Sequence, residues 1–282
     1  MRITETLAGL AAVWLFTAAA ASAQTIPAEP LHDAGTSVTG AFEGWFKNPD
    51  GSFSLLLGYF NRNQKQELDI PIGPDNSIEP GGPDHGQPTH FFPGRQYGMF
   101  VIKVPAGFAD KYTWTIVANG KSTTIPASLK PDYEISPFRE EAVGNTPPVL
   151  SFEEKGPAVQ GPLGLTMQRT AGVGVPLNLN VWVADDGKWT TLSGAPPHDL
   201  ETPVTIHWTR YRGPAAVAFS SDRPSVEKTG GSAVFNGKST TTATFSAPGD
   251  YTLHVVVNDL SGDGGGGEQC CWTFGTVNVT VR

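Results

Sequence analysis

Three groups of residues carry side chains able to do chemistry. The first lies in residues 71–98, which hold six Pro and six Gly in 28 positions together with Asp84, His85, His90, Phe91, Phe92, Arg95 and Tyr97. Imidazole and carboxylate groups ligate divalent metals, so Asp84, His85 and His90 form one candidate metal set. Their spacing fits no strong zinc pattern, and solvated loop residues are the plain alternative. His90, Phe91, Phe92, Arg95 and Tyr97 offer flat faces and a donor fork, which suit sugar rings or an extended peptide. A crossover whose aromatics plug the end of a sandwich would use the same residues.

The second group is acidic. Asp185-Asp186-Gly187 and Asn258-Asp259, with Asp263 and Glu268, supply the hard oxygen ligands that Ca²⁺ takes. They are also ordinary turn residues, and no EF-hand spacing is present. The third group is the adjacent pair Cys270 and Cys271, the only cysteines in the chain. A vicinal disulfide, a soft-metal pair and two buried thiols all fit them. Trp272 follows directly and joins the candidate binding residues.

No nucleophile elbow, P-loop, His-Glu-x-x-His or dinucleotide fingerprint occurs. Glu140-Glu141 and Glu153-Glu154 are adjacent acids that read as charged linker residues. These absences favour binding over catalysis. A metal-dependent protein or hydrolase built on residues 71–98 is the alternative, and a structural spacer or assembly subunit is a further one.

The elements that position these groups are strands. The chain has 282 residues with Gly 33 and Pro 24, and only 16% are charged. That composition excludes helical bundles, while 39% hydrophobic content with 15 Phe and 7 Trp is enough for a core. Strand patterns occur at 52–60, 98–104, 112–118, 121–125, 163–167, 177–183, 204–210, 241–245, 251–258 and 272–281. Asn119-Gly120 between two of them predicts a type I′ hairpin. Prolines punctuate residues 131–160.

Residues 1–23 read as a cleaved signal peptide, with Arg2, an apolar run and Ala21-Ser22-Ala23 before Gln24. An all-β protein follows: two β-sandwich domains in tandem, 36–130 and 148–282, joined by a Pro-rich linker at 131–147. The expected address is periplasmic or extracellular, without membrane insertion after signal cleavage. The net charge of -8 gives no attraction to nucleic acid. A cell-envelope glycan or protein is the expected partner. No cofactor is required, with Ca²⁺ or a transition metal the candidates if one binds.

The stretch Thr242-Ala243-Thr244-Phe245-Ser246-Ala247-Pro248-Gly249-Asp250-Tyr251-Thr252-Leu253, with Trp208 on an earlier strand, resembles PKD-type and related bacterial immunoglobulin-like domains. The resemblance covers about 130 residues and implies a sandwich locked by Tyr251 at a strand corner, with Trp208 in its core. It implies a range of spacer, adhesin and binder roles rather than one activity. The N-terminal region, with Gly44-Trp45-Phe46 and Trp114, resembles uncharacterised domains of exported bacterial proteins and implies no function.

Overall fold

The computed structural model describes residues 32–140, 144–188, 202–230, 235–259 and 270–282. The signal peptide and its cleavage site, Glu141, Asp263 and Glu268 lie outside these residues. The described residues form strands and one 3₁₀ turn at Pro131–Tyr133, and the fold is all-β.

Alternation of apolar and polar residues sends successive side chains to opposite faces of a strand. In the first sandwich, β1 (Val38–Lys47), β2 (Phe53–Asn61) and β6 (Gly94–Val104) make one sheet in the order β1-β2-β6. β4 (Asn76–Glu79), β7 (Lys111–Ala118) and β8 (Lys121–Ser128) make the facing sheet. A short pair, β3 (Leu68–Asp69) and β5 (His90–Phe91), closes one side. Leu55, Leu57 and Tyr59 pack with Ile78, Trp114 and Ile116 to form the core. Gly40 permits the sheets to meet there, because a Cβ would lie 2.7 Å from the Trp114 ring. Asn119 and Gly120 both have positive φ, 50° and 74°, as the predicted hairpin turn requires.

The second sandwich pairs a six-stranded sheet with a four-stranded one. The larger contains β9 (Val149–Ser151), β10 (Ala158–Gln160), β12 (Leu177–Asp185), β14 (Val217–Phe219), β15 (Val226–Lys228) and β16 (Phe235–Phe245). The smaller runs β11-β18-β17-β13, with β11 (Leu165–Ala171), β13 (Val204–Arg212), β17 (Gly249–Asp259) and β18 (Trp272–Val281). β11 lies parallel to β18; the other pairs in this sheet are antiparallel. Trp208 is 2% exposed and packs among Val181, Phe245, Leu253 and Val255. The Tyr251 hydroxyl donates to the Ala247 carbonyl at 2.8 Å, tying the start of β17 to the corner before it.

The four-stranded sheet is covered on both faces. Leu253, Val255 and Val257 enter the second core, while His254 and Val256 point the other way. On that other face Trp272 and Val256 join Phe46, Leu56, Val101, Ile135 and Phe138. Ile135 and Phe138 of the proline-punctuated segment thus contribute to the packing between the sandwiches. The Ile135 amide donates to the Trp45 carbonyl, and Glu140 and Asn145 are buried. Glu140 is therefore not a solvated linker acid. The described residues pack as one compact unit.

Candidate binding seam and its flanking charges

Two β irregularities build the seam. The β1–β2 register shifts between Phe42 and Gly44, and the β2–β6 register shifts between Leu57 and Tyr59. Such bulges re-aim side chains. Here the Glu43 carboxylate is turned into the protein, where its side chain is 1% exposed. It accepts a hydrogen bond from the Arg95 guanidinium at 2.8 Å and one from the Gly98 amide at 2.9 Å. Gly58 leaves room for this seat, since a Cβ would lie 2.2 Å from both Glu43 Oε1 and the Gln96 carbonyl. Burial raises the Glu43 pKa above the usual carboxylate value, against the opposing pull of Arg95 and the Gly98 N–H. Arg95 also donates to the carbonyls of Tyr59 and Gln96, and its guanidinium lies 4.3 Å from the Tyr97 ring centroid.

A third register shift lies between Arg210 and Arg212 at the end of β13. Tyr211 thereby enters the core of the first sandwich, while Arg210 and Arg212 reach across to it. The Arg212 fork holds Asp84 at 2.8 and 3.0 Å and also donates to the Gln87 carbonyl. The Tyr211 hydroxyl donates to the Gly86 carbonyl at 2.6 Å, and the Thr89 amide donates back to the Tyr211 carbonyl. Arg210 pairs with Asp69 at 2.9 Å. His90, 4% exposed, has Nδ1 at 2.9 Å from Asp69 and Nε2 at 3.1 Å from Glu67. Residues 84–92 therefore act as a clasp between the sandwiches. Hydrogen bonds from Arg212 lower the Asp84 pKa below the usual value. For Asp69, burial pushes up but hydrogen bonds from Arg210 and His90 outweigh it, and the net shift is downward.

The metal candidates are accordingly dispersed. Asp84 is on Arg212. His85 Nε2 lies 3.1 Å from the Pro80 carbonyl, and its ring packs against Tyr112. His90 sits between Glu67 and Asp69. Among the described residues no group of three His, Cys, Asp or Glu side chains is arranged to hold a metal ion. Phe91 is fully buried against Tyr59, with ring centroids 4.9 Å apart, so it serves the core. Phe92 is half-buried against His90. Cys270 and Cys271 are paired with one another and are 4% and 0% exposed.

Arg95, Tyr97 and Trp272 do meet. They line a cavity of about 140 Å³ with Thr205, His207 and Arg223. Trp272 is 2% exposed and forms its inner wall against Gly98, and its indole N–H has no hydrogen-bond partner among the described residues. A second cavity of about 270 Å³ is lined by Glu67, His90, Phe92, Arg210 and Asp222. His207 lines both cavities, so the two adjoin along β13. Burial lowers the His207 pKa, as does Arg223, while Asp222 opposes. Flat rings and hydrogen-bonding groups from both sandwiches thus share one concave strip, the combination that small-ligand clefts use. Sequence reasoning missed Glu43, His207, Arg210, Arg212 and Arg223. The run Arg210-Tyr211-Arg212 at a strand end was the available signal for the clasp.

No protein-family model matches the chain, and no curated protein does. Among solved structures, a titin A168–A169 fragment aligns over 86% of this chain and 98% of its own at 12% identity and a TM-score of 0.24. Domains 4 and 5 of the S-layer protein SbsC align over 87% and 98% at 14% identity and a TM-score of 0.22. An endo-fucoidan hydrolase of glycoside hydrolase family 107 aligns over 89% of this chain and 30% of its own length, at 12% identity and a TM-score of 0.25. Alignments at these TM-scores support no argument about site or activity. Among the described residues no helix is long and apolar enough to cross a membrane.

Proposed function

We propose that this chain is an exported binding or display protein of the cell envelope, with a glycan or an extended protein segment as its ligand. The export reading rests on the sequence of residues 1–23. The binding reading rests on one observation: Arg95, Tyr97 and Trp272 line the same cavity as Thr205, His207 and Arg223. Both sandwiches contribute to that surface, so the ligand reads the two together. In this reading the two sandwiches are separate domains, 36–130 and 148–282, whose seam is the recognition surface. Tyr97 is half-buried and Arg223 exposed, which leaves a ring and a guanidinium available to a ligand.

Glycan and peptide arrays probed with the chain from Gln24 onward test the proposal. Tyr97→Ala and Arg223→Ala, neither of which removes a core side chain, are expected to weaken any captured ligand about tenfold or more at unchanged thermal stability. Array binding that both variants retain in full would place recognition elsewhere, and an empty array would remove the support for a binding role.

A further inference from the structure

The second sandwich holds a different arrangement where β12 and β17 end. Asp185 ends β12 and is 3% exposed; Asp259 ends β17 and is 2% exposed. The Gly187 amide donates to Asp185 Oδ2 at 2.7 Å. Asp185 Oδ1 is buried and has no hydrogen-bond partner among the described residues. Among the described residues, the charged groups that act on it are the carboxylates of Asp259 and Asp186. Asn145 Nδ2 donates to Asp259 Oδ2 at 2.7 Å, and the neighbouring Thr146 hydroxyl donates to Asp186 at 3.1 Å. One short segment thus bridges the two acidic strand ends. The Lys188 ammonium stands 3.6 Å from Asp186.

A buried carboxylate oxygen with neither donor nor cation is costly, and like charges beside it add to the cost. Two occupants relieve it: a proton or a metal cation. The donors on hand are carboxylate and amide oxygens, which suit a hard ion. The sulfurs of Cys270 and Cys271, the two cysteines of the chain, are bonded to each other. We infer that the Asp185–Asp259 pair is a seat for one divalent cation of the calcium type, with Asp185 Oδ1 as a direct ligand. Two buried carboxylates supply the charge. Calcium accepts a shell completed by water, because its coordination number and geometry are flexible. Asp259 directly follows Asn258, which lines the first seam cavity, and the site joins β12 to β17, so occupancy stabilises the second sandwich.

The test uses the mature chain freed of metal with a chelator and then titrated with CaCl₂ at pH 7.5. Calorimetry should show saturable single-site binding, and Tm should rise by about 5 °C or more at a hundredfold excess over Kd. Asp185→Asn and Asp259→Asn should each abolish both responses, and Asp185→Asn should melt no lower than the calcium-free wild type. A wild type that shows neither heat nor a Tm change up to about 10 mM CaCl₂ overturns the inference, since extracellular calcium modules saturate by then. So does a Asp185→Asn variant that responds like wild type. An equal response to NaCl at matched ionic strength would mark charge screening alone and also overturn it.

Discussion

Glu43 and Asp185 are two buried carboxylates in one chain, and they are resolved differently. Both are pushed upward in pKa mainly by burial. Glu43 has a donor on each oxygen, Arg95 on one and Gly98 on the other. Asp185 has a donor on one oxygen and carboxylates for neighbours. The Glu43 seat is complete as folded and anchors the seam. The Asp185 seat still needs a positive charge. Burial alone does not distinguish structure from function in a carboxylate; what occupies its second oxygen does.

The largest effect should come from breaking the complete seat. Arg95→Ala leaves Glu43 buried without its cation and should cost about 3–5 kcal/mol in denaturant unfolding. Glu43→Gln with Arg95→Met should recover much of that loss, because both charges leave together. The opposite sign is expected at the incomplete seat. In chelator at pH 8, Asp185→Asn should stabilise the protein by about 1–2 kcal/mol, since it removes an unpaired buried charge. Smaller again is the clasp. Asp84 is half-exposed and its pair is partly screened, so Arg212→Lys, which loses the fork, should cost about 1 kcal/mol or less.

His254 sharpens the comparison from the basic side. Its ring is stacked between Tyr211 and Phe274, and burial lowers its pKa from 6.5 to about 3. The folded state therefore refuses a proton that the unfolded chain accepts below 6.5, and stability should fall as pH drops from there towards 3. His254→Phe should flatten that limb in urea unfolding series run from pH 7 to 4.

Much of this architecture is legible locally. Alternation marks the long strands of the second sandwich, and the Tyr251 corner closes over four residues. β1 is harder to read because Gly40, Glu43 and Gly44 interrupt its apolar run, and those interruptions are the close sheet contact and the bulge. Residues 71–98 read as a binding loop or a crossover, with no grip on the second sandwich, because their partners are remote in sequence. Asp84 meets Arg212 across 128 positions, and Gly86 meets Tyr211 across 125. Local composition reports that such a segment is irregular and polar; it contains nothing about what the segment grips. The acidic strand ends were readable as oxygen donors, but only the packing of the β12 sheet against the β17 sheet brings Asp185 to Asp259.

The contrast between the two carboxylates is tested most directly by the stability difference between Asp185→Asn and wild type as a function of pH, both in chelator. Burial, and then the Asp259 and Asp186 charges against the Gly187 N–H, raise the Asp185 pKa from 3.8 to about 7 in the folded state. The wild type is thus unpenalised below 3.8 and loses stability relative to the variant as pH rises through about 7. The contribution of His254 cancels in the difference. The account predicts a difference in favour of the variant that is smallest near pH 4, grows towards pH 7 and is flat above it. A difference that does not change with pH would show that Asp185 titrates normally and would contradict the account.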